Sequence, residues 1–236
     1  MKIIIATIKA WNIEKAEEIR KKYLIEHEIK IIDRKEALDL RSVSRFNPDY
    51  IFFPHWSYII PPDIYENYTC VVFHMTDLPF GRGGSPLQNL IIRGIRETSL
   101  SAIKVEEGID SGPIYFKETL SLDGSAEEIY KRAADQIFSR MIPLFLEKED
   151  LQPVKQEGEP VYFKRRTVAD SELNEDMSLS QIYNHIRMLD AEGYPNAYIS
   201  FGKYKLTLRK ARFDGTRIQA EADIVMTEEG EWIEYW

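Results

Sequence analysis

The sequence predicts an α/β fold: a Rossmann-like, mostly parallel sheet with helices on both faces, plus a small C-terminal β-rich subdomain. Three observations predict it. Short apolar runs alternate with helical patterns through the first half, as in strand–helix–strand units. The runs Ile3-Ile4-Ile5 and Cys70-Val71-Val72-Phe73 are apolar without alternation, as strands buried on both sides are. After residue 195 the pattern changes to alternating stretches split by Gly202-Lys203, Asp214-Gly215 and Glu229-Gly230, which are hairpin signals.

In chain order, residues 2–6 read as a buried strand. Asn12 offers an N-cap, and Ile13, Ala16, Ile19 and Tyr23 follow at helical spacing to about Leu24. Residues 29–33 form a second strand and 36–46 a second helix, closed by Asn47-Pro48. A third strand spans 50–54, a short helical turn 61–68 and a fourth strand 69–74. Residues 86–94 read as helical and 100–106 as extended. Ile129, Ala133, Ile137 and Met141 share one face of a single long helix over 125–148, which Ser125 and Glu128 open as a capping box. The charged, proline-containing stretch 149–158 is the expected linker. A helix over 179–189 and an antiparallel β subdomain at about 195–236 complete the chain. The expected division is a core at 1–158 and a C-terminal part at 159–236.

Composition narrows the function. The 31 Lys+Arg against 39 Asp+Glu give a net charge of −8, which argues against broad contact with nucleic acid or an anionic membrane. The single cysteine, Cys70, lies in an apolar run, and no cysteine-rich metal site is available. No metal is expected. No segment approaches the length of a bilayer span, and the start is too short for a signal h-region, so a cytoplasmic protein is expected. The turn Thr7-Ile8-Lys9-Ala10-Trp11 lacks the glycines of a dinucleotide fingerprint, and there is no phosphate loop.

The chemistry concentrates between Phe73 and Tyr115. His74 ends a buried strand, at the sheet edge where open α/β folds place ligands. The loop that follows carries Gly81, Gly83 and Gly84, which permit close backbone approach, and Arg82, a fixed cationic fork. Asp110 sits in a second tight turn. From chemistry alone, His74 and Asp110 form either an acid/base pair or a structural hydrogen bond.

The motifs Phe73-His74-x-Thr76-x-Leu78-Pro79-x-x-Arg82-Gly83-x-x-Pro86 and Gly108-Ile109-Asp110-Ser111-Gly112-Pro113-Ile114 resemble those of the 10-formyltetrahydrofolate-dependent formyltransferases. The resemblance covers roughly residues 1 to 200. It implies a formyl donor, 10-formyltetrahydrofolate, and a catalytic pair, His74 and Asp110. It implies a pterin pocket lined by Ser57, Tyr58, Ile59 and Ile60 on one loop and by Glu107 and Ile109 on another. One position departs from the family pattern: Val72 stands where the family has a catalytic asparagine. A valine cannot donate to an oxyanion, and Gln88, Asn89 and Thr76 are the candidate replacements.

Among the family's subclasses, the tail segments around Phe163–Ser171 and 186–195 resemble those of nucleotide-sugar N-formyltransferases, including the pseudaminic acid pathway type. That reading implies a nucleotide-linked amino sugar as acceptor and a place in surface polysaccharide or nonulosonic acid biosynthesis. Arg82, Gly83, Gly84, His55, Arg165 and Arg166 are then the candidate acceptor contacts, and no nucleic-acid or membrane partner is expected. The β-rich tail offers a surface for a homodimer. Two alternatives stand beside it: a degenerate, non-catalytic folate- or sugar-binding member, and a formyltransferase for another small amine.

Overall fold

The computed structural model describes residues 1–148 and 151–226, so the hairpin signal at Glu229-Gly230 lies outside the described residues. In chain order the elements are β1 (Lys2–Ala6), α1 (Ala10–Lys22), β2 (Glu28–Ile32), α2 (Leu40–Phe46), β3 (Tyr50–Phe53), α3 (Pro62–Tyr65), β4 (Cys70–His74) and β5 (Phe80–Gly83). Then come α4 (Pro86–Ile92), β6 (Glu97–Lys104), β7 (Ile114–Ser121), α5 (Ala126–Gln136), α6 (Ile142–Glu147) and β8 (Val161–Phe163). The last are α7 (Leu179–Leu189), β9 (Ala197–Phe201), β10 (Tyr204–Phe213) and β11 (Ile218–Met226).

These elements fall into two compact units. The first takes Met1–Gly83, Thr98–Leu120 and Lys131–Tyr162; the second takes Gly84–Glu97, Ser121–Tyr130 and the chain from Phe163 on.

The first unit is built on a six-stranded sheet in the order β2-β1-β3-β4-β6-β7. β1 pairs in parallel with β2 and β3, and β3 with β4, whereas β6 runs antiparallel to β4. The apolar runs are buried on both faces, as their lack of alternation predicts. On one face Ile4, Ala6, Ile51, Phe53 and Cys70 pack against Val43 of α2 and Ile64 of α3. On the other, Phe145 of α6 meets the rings of Phe52 at 5.1 Å and Tyr115 at 4.9 Å. Burial pushes the Cys70 thiol up to about 12, so it packs as a small apolar group.

Local chemistry sets several boundaries away from their expected places. The second helix begins at Leu40 because the Asp39 carboxylate accepts from Ser42 N at 2.9 Å, and the Ser42 side chain together with this backbone bond holds its pKa below the usual carboxylate range. It ends at Asn47, whose φ of +52 stops the helix. The long helix expected over 125–148 is divided by a π-helical turn at Ile137–Met141. Pro143 has no N–H to give to the preceding turn, and the hydrogen-bond ladder widens there. Residues 151–158 are more than a linker: Val154 and Ile114 exchange two backbone bonds of 2.8 Å.

The second unit carries the antiparallel sheet β9-β10-β11. Its helix α7 opens with a capping box between Ser178 and Gln181 and has the expected bounds.

Candidate functional site

The site grows from the end of β4. His74 is its last residue and is buried, with Val72 two positions earlier on the same side of the strand. Val72 packs against the apolar cluster that includes Phe53 and Cys70. The imidazole has both nitrogens engaged. Nε2 lies 2.8 Å from the carbonyl of Gly81, and Nδ1 lies 3.5 Å from Oδ1 of Asp110. A carbonyl only accepts, so Nε2 carries the proton and donates, leaving Nδ1 to face the carboxyl group.

Asp110 is held from several sides. Its Oδ2 accepts from the backbone N–H of Gly83 at 2.9 Å. Its backbone sits at φ +51, a left-handed conformation that few residues besides glycine adopt. The turn depends on Gly112, where a Cβ would collide with the carbonyl of Lys104. Gly83, at φ +103, meets a similar demand on the facing segment. The loop between His74 and Gly81 is anchored by Lys117, whose Nζ donates to Asp77 at 2.6 Å and to the Leu78 carbonyl at 2.7 Å. The bond from Lys117 holds the Asp77 carboxyl below its ordinary range.

Of the residues singled out from sequence, the first unit holds His74, Asp110, Thr76, Arg82, Gly83, His55, Ser57–Ile60, Glu107 and Ile109. His74, Asp110 and Gly83 come together, Asp110 meeting the other two. Thr76 directs its hydroxyl to the Gly81 carbonyl at 3.3 Å, the same oxygen that His74 uses. Arg82 turns Nε and Nη2 to Gln156 Oε1, at 3.1 and 2.8 Å, and Nη1 to the Tyr162 hydroxyl at 3.3 Å. His55 stands at φ +52 with its ring edge-on to Trp11, and burial, reinforced by Lys9, lowers its pKa to about 4.

The two loops expected to take a flat ring are open to solvent except at Ile60, which is buried in the apolar cluster with Phe53 and Ile64 rather than facing a pocket. Ile59 is 92% exposed and Ile109 69%, unusual for isoleucine and suited to an apolar ligand. Among the described residues, the backbone groups of 57–60 make no hydrogen bond to the protein. Glu107 gives its carbonyl to Ser111 Oγ at 2.8 Å.

The second unit holds Gly84, Gln88, Asn89, Arg165 and Arg166. Gln88 Nε2 donates to the Tyr130 hydroxyl and the Met188 carbonyl, both at 3.1 Å. Asn89 Nδ2 serves the carbonyls of Gly84, Ser85 and Lys164 at 2.9–3.1 Å. Arg166 donates to the Asp170 carbonyl at 2.6 Å, and the Arg165 backbone lies against Gly84.

Gly81, singled out from sequence for close backbone approach, instead contributes a carbonyl to His74, and one participant, Gln156, was missed. Gln156 lies in the stretch read as a linker. Among the described residues no cluster of His, Cys, Asp and Glu suits a metal ion, and no helix is long and apolar enough to cross a membrane.

A buried imidazole between a carbonyl and a carboxyl group thus stands at the carboxyl end of β4, where open α/β sheets place ligands, and such a pair can pass a proton. Residues 8–143, over half of the chain, match the family model described as Formyl transferase. The chain belongs to the formyl transferase family. This family draws its formyl group from formyl-tetrahydrofolate. Residues 168–225 match a second model, described as the C-terminal domain of methionyl-tRNA formyltransferase.

A solved structure named as methionyl-tRNA formyltransferase from Clostridium thermocellum is 54% identical. The alignment covers 96% of this chain and 99% of that one, with a TM-score of 0.94. The methionyl-tRNA formyltransferase of Rickettsia massiliae is 28% identical over 80% of this chain, and the chain spans only 64% of that relative's length. A sugar N-formyltransferase from a Shewanella species shares the fold at a TM-score of 0.69 with 17% identity, over 89% of this chain and 96% of that one.

Proposed function

We propose that this protein transfers the formyl group of 10-formyltetrahydrofolate to a primary amine, with methionyl-tRNA as the acceptor. The observation that carries the transfer reaction is the His74–Asp110 pair, set within the stretch that matches the family. The acceptor reading rests on the 54% identity to the Clostridium thermocellum protein along nearly its whole length.

The folate supplies an N-formyl carbon to which an amine can add, and the chain's groups handle charge and protons. His74, ending β4, turns its Nε2 proton from the Gly81 carbonyl toward the formyl oxygen as that oxygen gains charge when the amine nitrogen bonds to carbon. Asp110, whose Oδ1 faces Nδ1, accepts the proton that the amine must lose. The leaving nitrogen of the folate takes a proton in turn, so the amide forms and tetrahydrofolate departs. The exposed Ile59 and Ile109, with the unbonded backbone of 57–60, fit the apolar faces and polar edge of a pterin.

A second acceptor, a nucleotide-linked amino sugar, is favoured by one property of the chain. Its net charge of −8 supplies little attraction for a polyanion. Incubation of the full chain with 10-formyltetrahydrofolate and either initiator methionyl-tRNA or a panel of nucleotide amino sugars separates the two. The expected result is N-formylmethionyl-tRNA, detected by mass. Formamide on a sugar alone would replace the acceptor. Folate binding with no formamide on any amine would establish a non-catalytic binding protein.

A further inference from the structure

A side chain from the expected linker reaches the catalytic loops. The paired bonds between Val154 and Ile114 lay this segment beside β7. Two residues on, Gln156 Nε2 donates to the carbonyls of Asp110 and Gly112, each at 2.8 Å. Its Oε1 accepts from Arg82 Nε at 3.1 Å and Nη2 at 2.8 Å. Carbonyls only accept and a guanidinium only donates, so the partners themselves fix which end of the amide is which. Both protons and both lone pairs are used. No other side chain of this size does the same: glutamate would face two carbonyls with a carboxylate, and methionine would leave every partner unmet.

The amide joins the two segments that hold the catalytic pair. Arg82 lies between Gly81, which receives His74 Nε2, and Gly83, which holds Asp110 Oδ2. On the other segment, Asp110 occupies a left-handed backbone conformation, which persists only where the surroundings over-determine it. Gln156 binds the carbonyl of that very residue.

We propose that Gln156 is a positioning residue for the His74–Asp110 pair, holding the Asp110 turn and the Arg82 segment where imidazole and carboxyl group meet. Its effect on turnover rests on the formyltransferase reading; its effect on the pair rests on hydrogen-bond geometry alone.

The test compares full-length wild type, Gln156→Met and Gln156→Glu in two measurements. The first is the NMR signal of the His74 ring at one pH, assigned with His74→Gln. The second is steady-state formyl transfer. Both variants are expected to shift the His74 signal and to lower kcat by about 10- to 100-fold, the usual consequence of a small misplacement. KM for the folate is expected to change less than kcat, since the bonds of Gln156 reach Asp110 and Gly112 rather than Glu107, Ile109 or the 57–60 loop.

Glutamate keeps an acceptor for Arg82 but loses both donors to the turn, so similar losses in the two variants assign the effect to Asp110. A normal Gln156→Glu beside an impaired Gln156→Met would overturn the proposal, because it assigns the effect to Arg82 alone. An unmoved His74 signal in Gln156→Glu would overturn it as well. Should methionine prevent folding, the near-isosteric glutamate variant decides by the same two readouts. Should wild type form no formamide, the formyltransferase reading fails, and the His74 signal still decides the positioning.

Discussion

The strand β5 at Gly81-Arg82-Gly83 and the helix that opens at Pro86 are neighbours in sequence, yet they use their polar groups differently. In β5, backbone groups face titratable side chains: the Gly81 carbonyl meets His74 and the Gly83 N–H meets Asp110. In the helix, side-chain amides face backbone and a phenol: Gln88 reaches Met188 and Tyr130, and Asn89 reaches three carbonyls. Both regions bury polar groups and satisfy them. The difference lies in the proton: β5 faces an imidazole and a carboxyl group, whereas the titratable partner of the helix amides is the Tyr130 phenol, which burial pushes well above the ordinary phenol range.

The comparison breaks most visibly at the pair itself. His74→Ala and Asp110→Asn are each expected to lower kcat by about 10²- to 10⁴-fold, with folate affinity little changed. Steady-state kinetics and a folate binding isotherm check this, and a variant keeping more than a third of wild-type turnover would remove the pair from catalysis.

A smaller effect is expected at Val72. Gln88, Asn89 and Thr76 all donate to other groups, so a donor introduced beside His74 should help. Val72→Asn is expected to raise kcat about tenfold or more, part of the 2.7–4 kcal/mol typical of one oxyanion donor. Unchanged turnover would mean that the site already has its donor.

On the helix side, Asn89→Ala is expected to cost about 1–2 kcal/mol of stability, because three carbonyls lose their donor. The turnover of the folded variant should stay within about threefold of wild type. Thermal denaturation and kcat together check this, and a large loss of kcat at unchanged Tm would return Asn89 to the reaction.

The smallest expected effect is on acid stability. His55 titrates at about 4 in the folded chain and near 6.5 when unfolded, so the unfolded state binds the proton first as pH falls. The stability gained by keeping it neutral is complete above pH 6.5 and is lost as pH falls to about 4. His55→Asn tolerates the left-handed backbone and removes the titration. Between pH 6.5 and 5.5 its Tm should fall less than that of wild type, by the equivalent of about 1 kcal/mol. Equal drops would show that His55 does not report on this equilibrium.

Much of this was legible in the residues. Apolar runs without alternation located β1, β3 and β4, and the capping box and periodicity located α7. His74 and Asp110 were legible because their motifs carry the glycines that the two turns need, Gly83 and Gly112. Other features depend on partners far away in the chain. Nothing within β6 says that it runs antiparallel to β4, because strand direction is set by the path of the connection. Gln156 was hidden among charges and a proline that look like a linker, and its place follows from the bridge between Val154 and Ile114. The expected oxyanion donors were chosen by nearness in sequence, which does not show that Gln88 and Asn89 already serve other groups.

The central claim is that a formyl group passes from folate to an amine at the His74–Asp110 pair. A single turnover with excess enzyme, 10-formyltetrahydrofolate carrying ¹³C in the formyl group, and methionyl-tRNA tests it most directly. The label is expected to appear as an amide on the methionyl nitrogen, matched by release of tetrahydrofolate, and Asp110→Asn is expected to slow both together. Labelled formate with no labelled amide, or transfer at an undiminished rate in Asp110→Asn, would contradict it.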